Sequence, residues 1–178
     1  MKHLILITII FLSVVFAHTA MADLQIGQIP ELITLKDKLG GRLDGTPWSS
    51  SEFKDKVIIL FYVDPDEKDL NNDASEALHT ENFPLEKCQS YAIINMAATW
   101  IPNFAISASI EEKQKKYTNT IYIRDYKKAL VNKWGLSDNN SDVLAFDKSG
   151  KMIFRKDGKL KKKDIDALIK VIRRHIDD

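Results

Sequence analysis

Apolar and polar positions alternate along this chain in blocks whose lengths and periods predict an interleaved order of strands and helices. Residues 32–35 form a short β-type run, Gly40-Gly41 marks a turn, and residues 42–45 read as the returning strand of an N-terminal β-hairpin. Val57–Val63, written Val-Ile-Ile-Leu-Phe-Tyr-Val, is continuously apolar and β-branched, the pattern of a strand buried on both faces. Asp64-Pro65-Asp66 ends it. Leu70, Ala74, Ala77 and Leu78 at helical spacing predict a helix over residues 68–80, and residues 91–96 predict a second buried strand. Glu111 and Glu112 stand four residues before Lys115 and Lys116, which supports a solvated helix over 107–117. A strand at 120–123 follows, then a helix at 127–134 closed by Gly135. Residues 142–146 and 151–155 flank the turn 147–150 as a hairpin. Ile165, Leu168, Ile169, Ile172 and Ile176 then place one apolar stripe on a terminal helix.

The first 22 residues have a different character. Lys2 and His3 precede a 14-residue run from Leu4 to Ala17 without charge, and Ala20-Met21-Ala22 offers the small-x-small pattern of a cleavage site. The run is shorter than the roughly 20 apolar residues a spanning helix needs. It predicts a signal peptide over residues 1–22, cleaved after Ala22, and one domain over residues 23–178 that is exported and not held in the membrane.

Composition narrows the class further. The chain has 178 residues, 44% hydrophobic and 29% charged, with 7 Gly, 5 Pro and 1 Cys, which argues against disordered, collagen-like and disulfide-scaffold proteins. Twenty-six Lys and Arg against 25 Asp and Glu leave no global field to attract a nucleic acid. Lys159, Lys161, Lys162, Lys163, Arg173 and Arg174 form the densest basic cluster, but Asp164, Asp166, Asp177 and Asp178 interrupt it, so it reads as a solvated helix face. With one Cys there is no internal disulfide.

The run 57–62 with its following loop and helix, together with the closing segment Asp142-Val143-Leu144-Ala145-Phe146-Asp147-Lys148-Ser149-Gly150-Lys151, resembles the thioredoxin-like superfamily. Within it, Gly27-x-x-Pro30, Tyr122-Ile123-Arg124-Asp125, Trp134-Gly135-Leu136 and residues 154–160 are similar to the bacterial YtfJ family of small exported proteins. The resemblance implies an α/β thioredoxin-like domain with a central mixed β-sheet flanked by helices. It also implies a periplasmic location and brings no established biochemical role.

Dithiol exchange needs an activated thiolate and a second thiol to resolve the mixed disulfide. The corresponding loop here reads Asp64-Pro65-Asp66-Glu67-Lys68-Asp69 and has no sulfur. Asp64, Asp66, Glu67 and Asp69 suit the positive end of a helix dipole, or offer oxygen ligands to a hard cation. The resemblance also implies a cis-proline before the strand at 143–146, where this chain has Asn140-Ser141-Asp142. Cys88 lies between the predicted first helix and the strand at 91–96, away from any strand-to-helix turn. His79 and His175 lack ligand spacing, and Ser49-Ser50-Ser51 reads as an N-cap before Glu52 rather than a nucleophile elbow. Of Trp48, Trp100 and Trp134, Trp100 beside Ile101-Pro102 is the expected exposed anchor.

Three functional readings follow. The leading one is a monomeric periplasmic binding protein without enzyme activity or cofactor, recognising an unidentified protein or small molecule through Asp64, Asp66, Glu67, Asp69, Asn140 and Ser141. The second is a single-thiol oxidoreductase or peroxidase-like enzyme using Cys88. The third is a metal-binding protein using the acidic loop 64–69.

Overall fold

A computed structural model describes residues 23–177; the expected signal peptide lies outside them. The eight strands are β1 Thr34–Leu35, β2 Gly40–Arg42, β3 Trp48–Ser49, β4 Val57–Val63, β5 Cys88–Asn95, β6 Thr120–Asp125, β7 Ser141–Phe146 and β8 Met152–Asp157. The helices are α1 Asn72–Glu81, α2 Asn103–Lys116, α3 Ala129–Trp134 and α4 Lys162–Asp177.

Six strands form one mixed sheet in the order β2-β6-β5-β4-β7-β8. β4, β5 and β6 run parallel, whereas β2, β7 and β8 pair antiparallel with their neighbours. β4 is central, so its side chains are covered on both faces. Ile58, Leu60 and Tyr62 enter a core with Trp48, Phe53, Tyr91, Trp134 and Phe146. Val57 and Ile59 enter a second core beneath α1 and α4. Each fully buried aliphatic side chain contributes about 1.5–3 kcal/mol, which explains why an uninterrupted apolar run occupies this position. The terminal stripe packs as expected, with Ile165, Leu168, Ile172 and Ile176 buried. α2 covers β5 and β6 through Ile106 and Ile110.

The N-terminal antiparallel pair is present, but its second strand is β3: Thr34 faces Ser49 and Leu35 faces Trp48. Of the expected partner, residues 42–45, Arg42 ends β2 and residues 43–45 make the turn instead, with Gly45 N–H donating to the Arg42 carbonyl and the Asp44 carboxylate accepting from Thr46. Gly40-Gly41, expected as that turn, is extended and forms the sheet edge beside Arg124 and Asp125. The reason is steric. A Cβ on Gly40 would lie 1.9 Å from the Arg124 carbonyl oxygen, so this close approach needs glycine, just as a turn would.

Helix and strand ends also move. α1 begins at Asn72 rather than residue 68, because Pro65–Glu67 forms a short 3-10 turn. β5 begins at Cys88, so the thiol is in a strand and not in the preceding connector. β6 continues to Asp125, and α2 begins four residues before the expected start. Gly135 closes α3 in the left-handed region, as the pattern predicts.

Candidate functional site

The parallel strands converge on a carboxyl-terminal edge, where open α/β sheets commonly place their ligands. β4 ends at Val63, and Asp64 caps the following turn by accepting from Asp66 N–H at 2.9 Å. The Asp64 N–H donates to the Asn140 carbonyl at 3.0 Å. The fold thus joins the two sequence-selected loops, the one after β4 and the one before β7. The Asp64 carboxyl is buried, and its desolvation pushes it above the ordinary carboxylate range.

The four acids do not share one task. Asp66 and Glu67 are exposed. Asp69 accepts from Asn72 Nδ2 at 3.0 Å and pairs with Lys113 Nζ at 3.1 Å, and these contacts hold its carboxyl below the usual range. Among the described residues, no group of three or more His, Cys, Asp and Glu side chains is arranged to hold a metal ion.

Asn71 does more here than any residue the sequence singled out. It stands before α1, but its side chain turns inward, donating from Nδ2 toward the Ser141 carbonyl, Ser141 Oγ and the Gly158 carbonyl at 3.1–3.2 Å. Its Oδ1 accepts from Leu160 N–H at 2.9 Å. One buried amide therefore ties the acidic loop to β7 and to the entry of α4. Asn140 bonds locally, its Oδ1 accepting from Ser141 N–H at 3.0 Å. No cis peptide bond occurs among the described residues, so the stretch 140–142 is trans.

A second polar layer lies on the opposite face of the same sheet edge. Tyr62 donates to Asp125 Oδ2 at 3.2 Å, and Asp125 also accepts from Lys127 N–H and Leu130 N–H. Asn95 Nδ2 donates to the Asp138 carbonyl and carboxylate, and Asp138 pairs with Lys128 at 2.7 Å. Asp142 accepts from Ser137 N–H at 2.6 Å. Asn95 Oδ1 and Asp142 Oδ1 are buried without partners among the described residues. Burial raises Tyr62 and Asp142 above their ordinary values. These groups anchor α3 and the 135–140 connection to the sheet. Their sequence signal is slight: polar residues closing otherwise apolar strands at one common level.

The single thiol is elsewhere. Cys88 pairs with Val57, so it lies at the amino end of β4, roughly 20 Å from Asp64 at about 3.3 Å per residue. It is buried, and that burial pushes the thiol up to about 12. His79 meets Tyr117 edge-on across α1 and α2, while His175 bonds within α4 to the Val171 carbonyl. Ser49 caps the turn before Glu52 in a capping box, as the spacing predicts. Trp48 and Trp134 are buried, and Trp100 is 90% exposed. In the basic cluster, Lys162 pairs with Asp166 and Arg173 with Glu81.

No helix of the described residues is long and apolar enough to cross a membrane. The thioredoxin domain of a thiol-disulfide oxidoreductase from Bacteroides vulgatus superposes with a TM-score of 0.59 at 17% identity, covering 83% of this chain and 97% of that one. The fold is therefore thioredoxin-like. An uncharacterized protein of Haemophilus influenzae is 29% identical over 130 residues, or 71% of this chain and 70% of its own. The uncharacterized protein YtfJ of Escherichia coli K12 is 24% identical over 148 residues, or 81% and 78% of the two chains. A family model described as bacterial protein of unknown function (YtfJ_HI0045) matches residues 17–175, and the chain belongs to that family.

Proposed function

We propose that this chain is exported by a signal peptide cleaved after Ala22 and acts in the periplasm as a monomeric binding protein rather than a dithiol oxidoreductase. One observation carries the reading. The turn after β4, where a dithiol would stand, has the Asp64 carboxyl and the Asp64, Asp66 and Glu67 N–H groups committed to internal bonds and holds no sulfur, while the single thiol lies buried at the far end of the strand. A reactive thiolate needs exposure and an electropositive setting; Cys88 is buried, and that burial outweighs the favourable charge of Lys56. The apolar run at residues 4–17 and the Ala20-Met21-Ala22 pattern support export.

Insulin reduction in the presence of dithiothreitol tests the absence of dithiol chemistry. The expected rate equals the uncatalysed one. Turnover that disappears in Cys88→Ser would overturn the proposal in favour of a single-thiol enzyme. Capture from periplasmic extract with the immobilised protein then tests binding, with Asp66→Lys/Glu67→Lys as the surface control; no saturable retention of any component would count against it.

A further inference from the structure

α1 and α2 cover the same sheet face but do not pack against one another through apolar side chains. Between them lies a cavity of about 330 Å³, at the small end of ligand pockets. Its floor is apolar toward one end, with Ile59 and Phe61 of β4, Ala92 and Ile94 of β5 and Tyr122 of β6, and carries the hydroxyls of the paired Ser90 and Thr120 toward the other. The walls carry short side chains, Ser75 on α1 and Ala105 and Ser109 on α2, which leave the space open.

Its lining extends from Cys88 to Ile94 along β5, roughly 20 Å at about 3.3 Å per residue, so the space is elongated and not round. The roof is polar and built of long side chains. Lys113 Nζ reaches across to Asn72 Oδ1 at 2.8 Å, Asp69 Oδ1 at 3.1 Å and the Lys68 carbonyl at 3.3 Å. Lys116 pairs with Glu76, which also accepts from Tyr117 OH at 2.7 Å. Exposed pairs of this type exchange readily with solvent, so the roof can open without disturbing either core.

Three observations define the occupant. The floor strands β4 and β5, over which the body of the cavity lies, are each paired on both sides, so an extended peptide finds no backbone partners along them. The volume and length suit one slim, flexible apolar chain. The charged side chains that line the space directly are the cations Lys68 and Lys113; Lys113 is held by the exposed Asp69 carboxylate at the roof, so an anionic head that takes the place of Asp69 on Lys113, with Lys68 beside it, is the electrostatic complement. Trp100 and Phe104, next in sequence to the lining residues Ile101 and Ala105, are 90% and 79% exposed, an apolar rim suited to such a ligand's arrival.

We infer that the α1–α2 groove binds a single aliphatic chain with an anionic head, its body over Phe61, Ala92 and Ile94 and its head at Lys113. The inference rests on the binding reading above and names its ligand class.

Dodecanoate, kept below its micelle concentration and titrated calorimetrically into the purified protein, tests this. Saturable one-to-one binding is expected. Ser109→Trp fills the groove and should weaken binding at least about tenfold, and Ala105→Leu, a milder filling, gives the same sign if the first variant does not fold. Lys113→Gln should cost about tenfold, the size of one charge-assisted contact. Dodecyltrimethylammonium, with the same chain and opposite charge, should bind more weakly than dodecanoate. Absence of saturable binding, or binding indifferent to both filling variants, overturns the site; equal affinity for the two head groups overturns the assignment of the head. If dodecanoate fails while periplasmic capture succeeds, this inference falls and the binding reading stands.

Discussion

Truncating Asn71 to alanine is the most direct test of how this fold holds its sheet edge together. The Nδ2 group has two hydrogens and three acceptors in reach, so it supplies two effective bonds, and Oδ1 supplies a third to Leu160 N–H. At about 1 kcal/mol net for each bond, and more where a buried partner is left unsatisfied, Asn71→Ala should cost about 3 kcal/mol or somewhat more. That is a large part of the 5–15 kcal/mol typical of a domain, and it lowers Tm by roughly 6–12 °C for a chain of this size. Urea unfolding followed by circular dichroism measures it, with an unchanged m-value as the condition for comparing stabilities. Asn71→Asp sharpens the test. The carboxylate keeps the acceptor for Leu160 but turns a second oxygen toward the Ser141 and Gly158 carbonyls, so it should rescue nothing at pH 7. A loss under about 1 kcal/mol in Asn71→Ala, or full stability in Asn71→Asp at pH 7, would refute the role assigned to this amide.

Asp142 is buried with Oδ1 unpartnered, and its carboxyl is raised, so the folded state holds its proton more tightly than the unfolded chain does. Its contribution is therefore complete below about pH 4 and is lost as pH rises through the raised folded value. Asp142→Asn keeps an acceptor for Ser137 N–H and should be more stable than the parent by about 1–2 kcal/mol at pH 7, with the gain vanishing near pH 3–4; a loss at pH 7 contradicts this. Gly40→Ala forces a Cβ into the Arg124 carbonyl and should cost more than about 2 kcal/mol, whereas Gly45→Ala, also at positive φ but with nothing within 4 Å, should cost about 1; equal costs in denaturant unfolding would remove the steric account. Cys88, with its thiol pushed up to about 12, should resist iodoacetamide in the native protein at pH 8 and react fully in urea; mass spectrometry showing rapid native labelling would restore the single-thiol reading.

The parts of the fold that were legible in the sequence are those where one physical signal dominates. Val57–Val63 announces a central strand because both faces are buried, and the stripe from Ile165 to Ile176 announces α4 because one face is. Ser49 with Glu52, Gly135 after α3, and exposed Trp100 follow from local chemistry in the same way. Gly40-Gly41 failed because two different demands, a turn and a close approach between strands, select the same residue. Cys88 reads as lying outside a strand because Lys87, Gln89 and Ser90 obscure the apolar pattern, and only pairing with β4 draws Cys88, Gln89 and Ser90 into the sheet. Asn71, Asn95 and Asp125 were invisible for a related reason. A polar side chain reads as exposed until the topology supplies its buried partner, and those partners stand 43 residues away in sequence for Asn95, 63 for Asp125 and 89 for Asn71.

The absence of sulfur at the β4 turn is not an isolated change on an otherwise redox-ready scaffold. Activation of a thiol there would draw on free N–H donors at the opening of a helix. In this chain the Asp66 N–H is taken by the Asp64 carboxylate, the Glu67 N–H by the Asp64 carbonyl, the Leu70 N–H by Glu67 and the Asn72 N–H by Asp69. Asn71, at the cap position, faces β7 rather than the helix. A carboxylate, a proline and an inward amide have thus replaced an open anion-stabilising turn with a closed one. The binding face is then better sought where the structure retains unfilled space under a roof of exposed, exchangeable ion pairs, between α1 and α2, than at this closed turn.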